Sequence, residues 1–398
     1  MSDKAEIVSR IIQIIQETEG DLDNDRLVNL DPLIFKIARS AFGSWEDALV
    51  AALVQACKGS RRHKVTVDAV VAEERHARER QEGWDAQIVV CDADGVIFTL
   101  SGAELKVAES GPISPAIFAP RGVASAVRCL LVNPEEDALA VLSDKGALYP
   151  VDSRVITPST GPTRRPADMT AMASDERAAA ILCQKALRRG SRFIHVTTQG
   201  RIKASAVKDL GRVLLREGVQ ALLLAEGDAV LAAFAHTEAQ TAIFCANAAG
   251  NGIHFESKEV RSMGLRAQGV KAMELGDFDA VVGAVPVRGH EQLLVLAASG
   301  AGKRVPLSQF RIQGRAGQGM ILMRPEARGD EIAALVSLES LDDDVLIWTE
   351  GGRLARVASG AFPLLDRSSR GQAVLTLPDG DRISGACRMP GAGPASAP

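Results

Sequence analysis

Short apolar runs, each ending in a glycine turn, set the rhythm of this chain. The runs at 88–91, 138–142, 193–196, 242–245, 293–296 and 345–348 are strand-length and rich in branched or aromatic residues. They stop at Asp94-Gly95, Lys145-Gly146, Gln199-Gly200, Gly250-Asn251-Gly252, Ser299-Gly300 and Glu350-Gly351. Counted from the first glycine of each turn, the spacings are 51, 54, 50, 50 and 51 residues, so the chain reads as six repeats. Two further marks keep phase in repeats three to six. A second glycine recurs at Gly218, Gly269, Gly319 and Gly371, and an acidic turn at Asp228, Asp279, Asp330 and Asp381 precedes another apolar run.

Each repeat has room for about four short strands. One such sheet is too small to bury its own faces, and stacking several side by side around an axis solves that problem. Glycine serves turns that need positive φ, and Asp serves turns through hydrogen bonds to nearby backbone. The pattern predicts an all-β, six-bladed β-propeller over residues 86–390. The alternative on the same marks is a row of separate sandwich domains. The first two repeats are less regular: 109–121 reads as a long loop, and 157–166, with three Pro residues, replaces the second-glycine turn. Residues 391–398 read as a disordered tail.

The N-terminal pattern is helical. Ile7, Ile11, Ile12, Ile14 and Ile15 predict an amphipathic helix over 4–18, and further helices are predicted over 30–42 and 45–57. A basic cluster follows at Lys58, Arg61, Arg62, His63 and Lys64, then a charged helix over 70–80. The expectation is a small helical domain at 1–65 and a charged linker or helix at 66–85. A three-helix unit with a basic flank fits DNA binding. The segment 1–85 carries 12 basic and 16 acidic residues, however, which also fits a capping or protein-contact module.

Charge limits the choice of partners. The chain has 46 basic and 50 acidic residues, and no segment has the positive excess of a dedicated DNA wrapper. Its six Cys residues form no CxxC pair and read as buried reduced thiols. No run of 18 apolar residues and no signal peptide is present, so a cytoplasmic location is expected. The six His residues have no ligand spacing. His195 reads as a packed strand residue and 342–344 as a solvated acidic turn. No metal site, cofactor site, phosphate loop or catalytic constellation is expected.

At Arg261-Ser262-Met263-Gly264-Leu265-Arg266-Ala267-Gln268-Gly269-Val270-Lys271 the chain resembles the C-terminal domain of the DNA gyrase A protein. Gly300, Lys303-Arg304, Phe310 and the segment 314–320 extend the resemblance into the next repeat. It implies a β-pinwheel, in which neighbouring blades exchange strands and DNA is bent or wrapped around the outer rim. The segment 42–49 is also similar to a helix start in small DNA-contacting repeats associated with homing endonucleases. The gyrase pattern includes a basic glycine-rich box of seven residues, of which this sequence has no copy; 313–319 belongs to the ordinary second turn. The sole Tyr, Tyr149, lies inside the second repeat and reads as structural, so no strand-cleaving module is expected.

Two functions remain open at this point. One is a non-catalytic DNA-binding and bending protein that contacts duplex DNA weakly and without sequence preference, in the nucleoid or beside a topoisomerase. The other is a protein-interaction propeller that has lost DNA binding. For the first, the candidate contacts are Arg201, Lys203, Arg212, Arg216, Lys258, Arg261, Arg266, Lys303, Arg304, Arg311, Arg315, Arg353 and Arg356. Lys58, Arg61, Arg62 and Lys64 are candidates in the helical domain.

Overall fold

The computed structural model describes residues 7–11, 13, 87–92, 95–101, 105, 107–108, 127–132, 138–156, 164–210, 218–325, 329–340 and 343–389. The chain divides into two compact units, Met1–Trp84 with Ala392–Pro398, and Asp85–Gly391. In the first, residues 7–11 and 13 are helical. Ile7, Val8 and Ile11 are buried, while Ser9 and Arg10 are exposed, as an amphipathic helix requires. The other expected helices, the basic cluster at 58–64, the loop at 109–121, residues 157–163 and the tail lie outside the described residues.

The second unit is all-β. Its described strands form five four-stranded blades and one three-stranded sheet. The fourth repeat is typical. Strands Ala242–Asn247 and Asn251–Glu256 make an antiparallel hairpin, and Val281–Val287 pairs with the free edge of the first of these, on the side of the cavity. The fourth strand of the blade, Met320–Ile321, comes from the fifth repeat. The same exchange recurs. Val219–Gln220 of the third repeat pairs with Ala147–Asp152 of the second, and Val270–Lys271 of the fourth pairs with Arg201–Ala206 of the third. Gln372–Ala373 of the sixth repeat pairs with Ala301–Pro306 of the fifth.

The sixth repeat receives its fourth strand from the first. Val107–Ala108, from the first repeat, pairs there with Leu354–Ala358. This pairing is parallel, whereas the other four exchanges are antiparallel. Beginning and end of the β-rich unit therefore meet in one sheet. The first repeat keeps three strands, Ile97–Ser101, Gln87–Asp92 and Val127–Val132.

Alternation along the strands explains why the sheets stack. In the fourth repeat, Ile243 and Cys245 share a core with Ile194 and Val196 of the third. Ala242, Phe244 and Ala246 point the other way, into a core with Leu293, Val295 and Ala297 of the fifth. The strand Ala242–Asn247 thus serves two cores, each shared with a neighbouring repeat. The innermost strands of successive repeats pack side by side and line a cavity of about 490 Å³, walled by small residues such as Ala180, Ala233, Gly283 and Ala334.

The marker residues have direct structural roles. Gly269 and Gly319 have φ of 82° and 78°. A Cβ there would stand 2.5 Å from the Ile202 carbonyl oxygen and 2.4 Å from that of Gly252, so the exchanged arm lies close on its host strand only with glycine. Asp279 accepts a hydrogen bond from the Ala249 amide at 3.2 Å, Asp330 from the Ser299 amide at 3.1 Å and Asp381 from the Gly351 amide at 2.8 Å. The acidic turn therefore ties the hairpin turn of its own repeat. In the hairpin turn of the sixth repeat the residue with positive φ is Gly352, at 76°, and not Gly351, where the spacing sets the turn.

Candidate nucleic-acid interface

Each exchanged strand sits within a longer arm that crosses from the end of one hairpin to the outer edge of the preceding blade. Inner strands face the cavity, so the arms form the rim. The arms at 257–273, 307–324 and 359–375 together carry nine basic residues and two acidic ones. The corners that follow them, at 274–279, 326–331 and 378–382, carry eight acidic residues and two basic ones. Positive charge is thereby segregated onto the rim although the whole chain is slightly acidic.

Arg261, Arg266, Arg311, Arg324 and Arg370 are exposed on these arms, and no acidic side chain pairs with them among the described residues. Arg261 and Arg311 occupy the same position in consecutive arms. Arg324 and Arg370, on adjoining arms, are joined by a parallel bridge, which puts two cations side by side. Lys258 and Lys271 are exposed but paired, to Glu256 at 2.6 Å and Glu274 at 2.7 Å. Arg315 is half-buried and donates to the Lys271 carbonyl at 3.0 Å, tying one arm to the next. Ile312 and Leu364, 55% and 50% exposed, stand among these cations.

Several expected contacts lie elsewhere. Lys203 and Lys303 are fully buried. Lys203 Nζ donates to the carbonyls of Ala221 at 2.5 Å and Leu265 at 2.6 Å. Lys303 Nζ donates to those of Asp366 at 2.7 Å, Arg367 at 3.0 Å and Ser369 at 2.8 Å. Burial pushes both ammonium groups down to about 8. Arg356 is buried against Asp344. These three side chains are withdrawn from the rim, because they spend their donors inside the fold.

Arg304 is half-buried, and its Nε donates to the Phe362 carbonyl at 2.7 Å. Arg201 is half-buried beside the Gly269 carbonyl, and Arg353 lies 3.4 Å from Asp381. Arg212, Arg216, Lys58, Arg61, Arg62 and Lys64 fall outside the described residues. Of the original set, Lys258, Arg261, Arg266, Arg311 and Arg315 come together on the arms. Arg370, which lies with Arg367 in the like region of the sixth repeat and belongs to the same basic arc in the sequence, stands with them, and Lys271 and Arg324 join them; the signal of these two was position relative to the second glycine, within five residues of it.

Two other expectations change. Asp343 and Asp344 are buried rather than solvated: Asp343 accepts from the amides of Glu339 and Ser340, and Asp344 pairs with Arg356. Tyr149 is buried as expected, and its hydroxyl donates to Glu176 at 3.2 Å. Burial and that carboxylate push the phenol up to about 12. Cys91, Cys183 and Cys245 are buried, and burial holds the Cys245 thiol at about 12, far from a nucleophilic range. No described helix is long and apolar enough to cross a membrane.

Three segments, 242–288, 291–339 and 343–386, match the family described as DNA gyrase C-terminal domain, beta-propeller. The gyrase A protein of Escherichia coli (strain K12) is 25% identical over 262 residues, which cover 65% of this chain and 30% of that protein. The gyrase A protein of Pseudomonas aeruginosa is 30% identical over 200 residues, 50% of this chain and 21% of its own length. This chain thus spans less than a third of either relative. A solved gyrase A C-terminal domain superposes with a TM-score of 0.67 at 21% identity, covering 77% of this chain and all of that one. The C-terminal domain of DNA topoisomerase IV gives 0.59 at 21% identity, over 76% of this chain and 93% of that one.

Proposed function

We propose, from the match of residues 242–288, 291–339 and 343–386 to the DNA gyrase C-terminal β-propeller family, that the chain binds and bends duplex DNA along its exchanged arms, without catalysing a reaction. The observation that carries this reading is the segregation of charge. Five unpaired arginines line the rim, while the acidic residues gather at the corners. Their contacts are with phosphates, so binding is weak, sequence-tolerant and salt-dependent. The missing glycine-rich basic box argues for modest wrapping.

We count the three-stranded N-terminal sheet as the first blade of a six-bladed β-pinwheel. The parallel strand Val107–Ala108, lent to the sixth repeat, supports a closed circuit. Within this reading the segment 1–65 is a helical head whose basic flank, Lys58 to Lys64, adds contacts to the same duplex. The protein acts in the cytoplasm at the nucleoid, where a topoisomerase is the protein partner that the reading favours.

The test is affinity for a duplex of about 40 base pairs across salt. The five arginines set an expected slope of log K against log salt of roughly −4 to −5. A flat response, or no binding near about 50 mM salt, overturns the proposal. Relaxing a plasmid with a type I topoisomerase in the protein's presence then reads wrapping as a shift in linking number.

A further inference from the structure

The buried lysines have a local purpose that the fold itself does not demand. Lys203 and Lys303 occupy the same slot on the second strand of their hairpins, opposite His195 and Val295. In the second, fourth and sixth repeats that slot holds Tyr149, Ile253 and Ala355. A blade therefore closes with an uncharged side chain there. Burying an ammonium is costly unless its donors are met; here Lys203 is met by Ala221 of its own repeat and by the arm of the next, and Lys303 by the arm of the next repeat. Lys203 reaches the Leu265 carbonyl, next to exposed Arg266. Lys303 reaches three carbonyls between Asp366 and Ser369, next to exposed Arg370. Leu265 and Arg367 are equivalent, each four residues before the second glycine of its arm.

We propose that Lys203 and Lys303 are positioning residues of the nucleic-acid interface: each fixes, from inside one blade, the backbone of the basic arm that the next repeat lays across it. This rests on the DNA reading of the arms. Neither lysine touches phosphate. Each holds the arm's turn in one conformation, so that Arg266 or Arg370 meets DNA without first losing backbone freedom. The ammonium suits this work because its three donors satisfy several converging carbonyls at once.

Lys303→Ile, which copies the fourth repeat, tests the idea in the full chain, with Lys303→Met as the second variant should the first fail to fold. The readouts are amide hydrogen exchange at 364–371 and affinity for the 40-base-pair duplex across salt. The expected result is at least tenfold faster exchange in the arm, affinity lowered about five- to tenfold at ~100 mM salt, and a slope shallower by about one. Loss of stability alone leaves the slope unchanged in a protein that stays folded. Wild-type exchange and wild-type slope in the variant overturn the proposal. If the unaltered protein does not bind DNA, the functional reading falls by itself, and the positioning role in DNA binding falls with it. Faster arm exchange in Lys303→Ile then marks Lys303 as a fold latch only.

Discussion

Arg356 and Asp344 form a buried ion pair, with the guanidinium Nε and one terminal nitrogen each 2.7 Å from the same carboxylate oxygen. The pair sits where Leu354–Ala358 receives the lent strand Val107–Ala108. In the fifth repeat the equivalent positions are Arg304 and Gln292, whose side chains meet at 2.9 Å. The fold thus accepts a neutral partner for this arginine. Arg356→Met is expected to cost about 3–5 kcal/mol, because it removes the opposite charge from a buried carboxylate. Asp344→Gln is expected to cost less than half as much. Urea denaturation of the two variants checks the order; equal losses would refute it.

His195 is fully buried, and neither ring nitrogen has a hydrogen-bond partner among the described residues. Its counterparts are Val90, Val141, Cys245, Val295 and Ile347, all apolar. Replacing it with Val removes an unmet polar group from a site built for a branched aliphatic. Stability is expected to rise by roughly 1–3 kcal/mol, read as a shift in the urea midpoint.

Burial, reinforced by the nearby Lys203 charge, drives the His195 imidazole from 6.5 down to about 3. Between these values the unfolded chain carries a proton that the folded chain refuses. The stabilising term is complete above pH 6.5 and is lost as pH falls toward 3, at about 1.4 kcal/mol per unit. His236, also shifted down by burial, acts in the same direction. Denaturation at pH 7.0, 5.5 and 4.5 should show the decline in the parent and a shallower one in His195→Val.

Phe278 is fully exposed and has φ of 63°, in the left-handed region. The matching corners of repeats three, five and six have Gly227, Gly329 and Gly380 with φ of 72°, 90° and 78°. A bulky side chain there is strained by about 1–2 kcal/mol. Phe278→Asn is expected to raise stability by about 1 kcal/mol, since Asn tolerates this conformation and no packing is lost. Calorimetry decides, and a lower melting temperature would contradict the strain argument.

Reversing charge on the rim and at the corners should give opposite results. The triple variant Arg261→Glu, Arg311→Glu, Arg370→Glu is expected to weaken duplex binding more than tenfold at ~100 mM salt. Asp277→Lys, at an acidic corner, should leave affinity level or raise it. Anisotropy titrations of both variants separate a rim contact from a general effect of net charge.

The glycine and aspartate marks were readable in the sequence because turns impose local demands, as Gly269 and Asp279 illustrate. The apolar runs were readable because a hairpin strand of six residues repeats its pattern. The exchanged strands were not, since two residues such as Val270–Lys271 are too short to carry an alternation. Charge misled for a related reason. Lys303 and Arg356 looked like surface residues because the groups that satisfy Lys303 lie some 63 to 66 residues away, in another repeat. Arg261 and Arg311 are exposed on their arms, since among the described residues no acidic side chain competes for them.

The strand lent by the first repeat to the sixth makes the β-rich unit behave as a loop in the mechanical sense, with a clasp only two residues long. Damage near residue 107 should therefore loosen residues 354–358 before it disturbs the repeats in between. Heat or force would open the necklace at that point first.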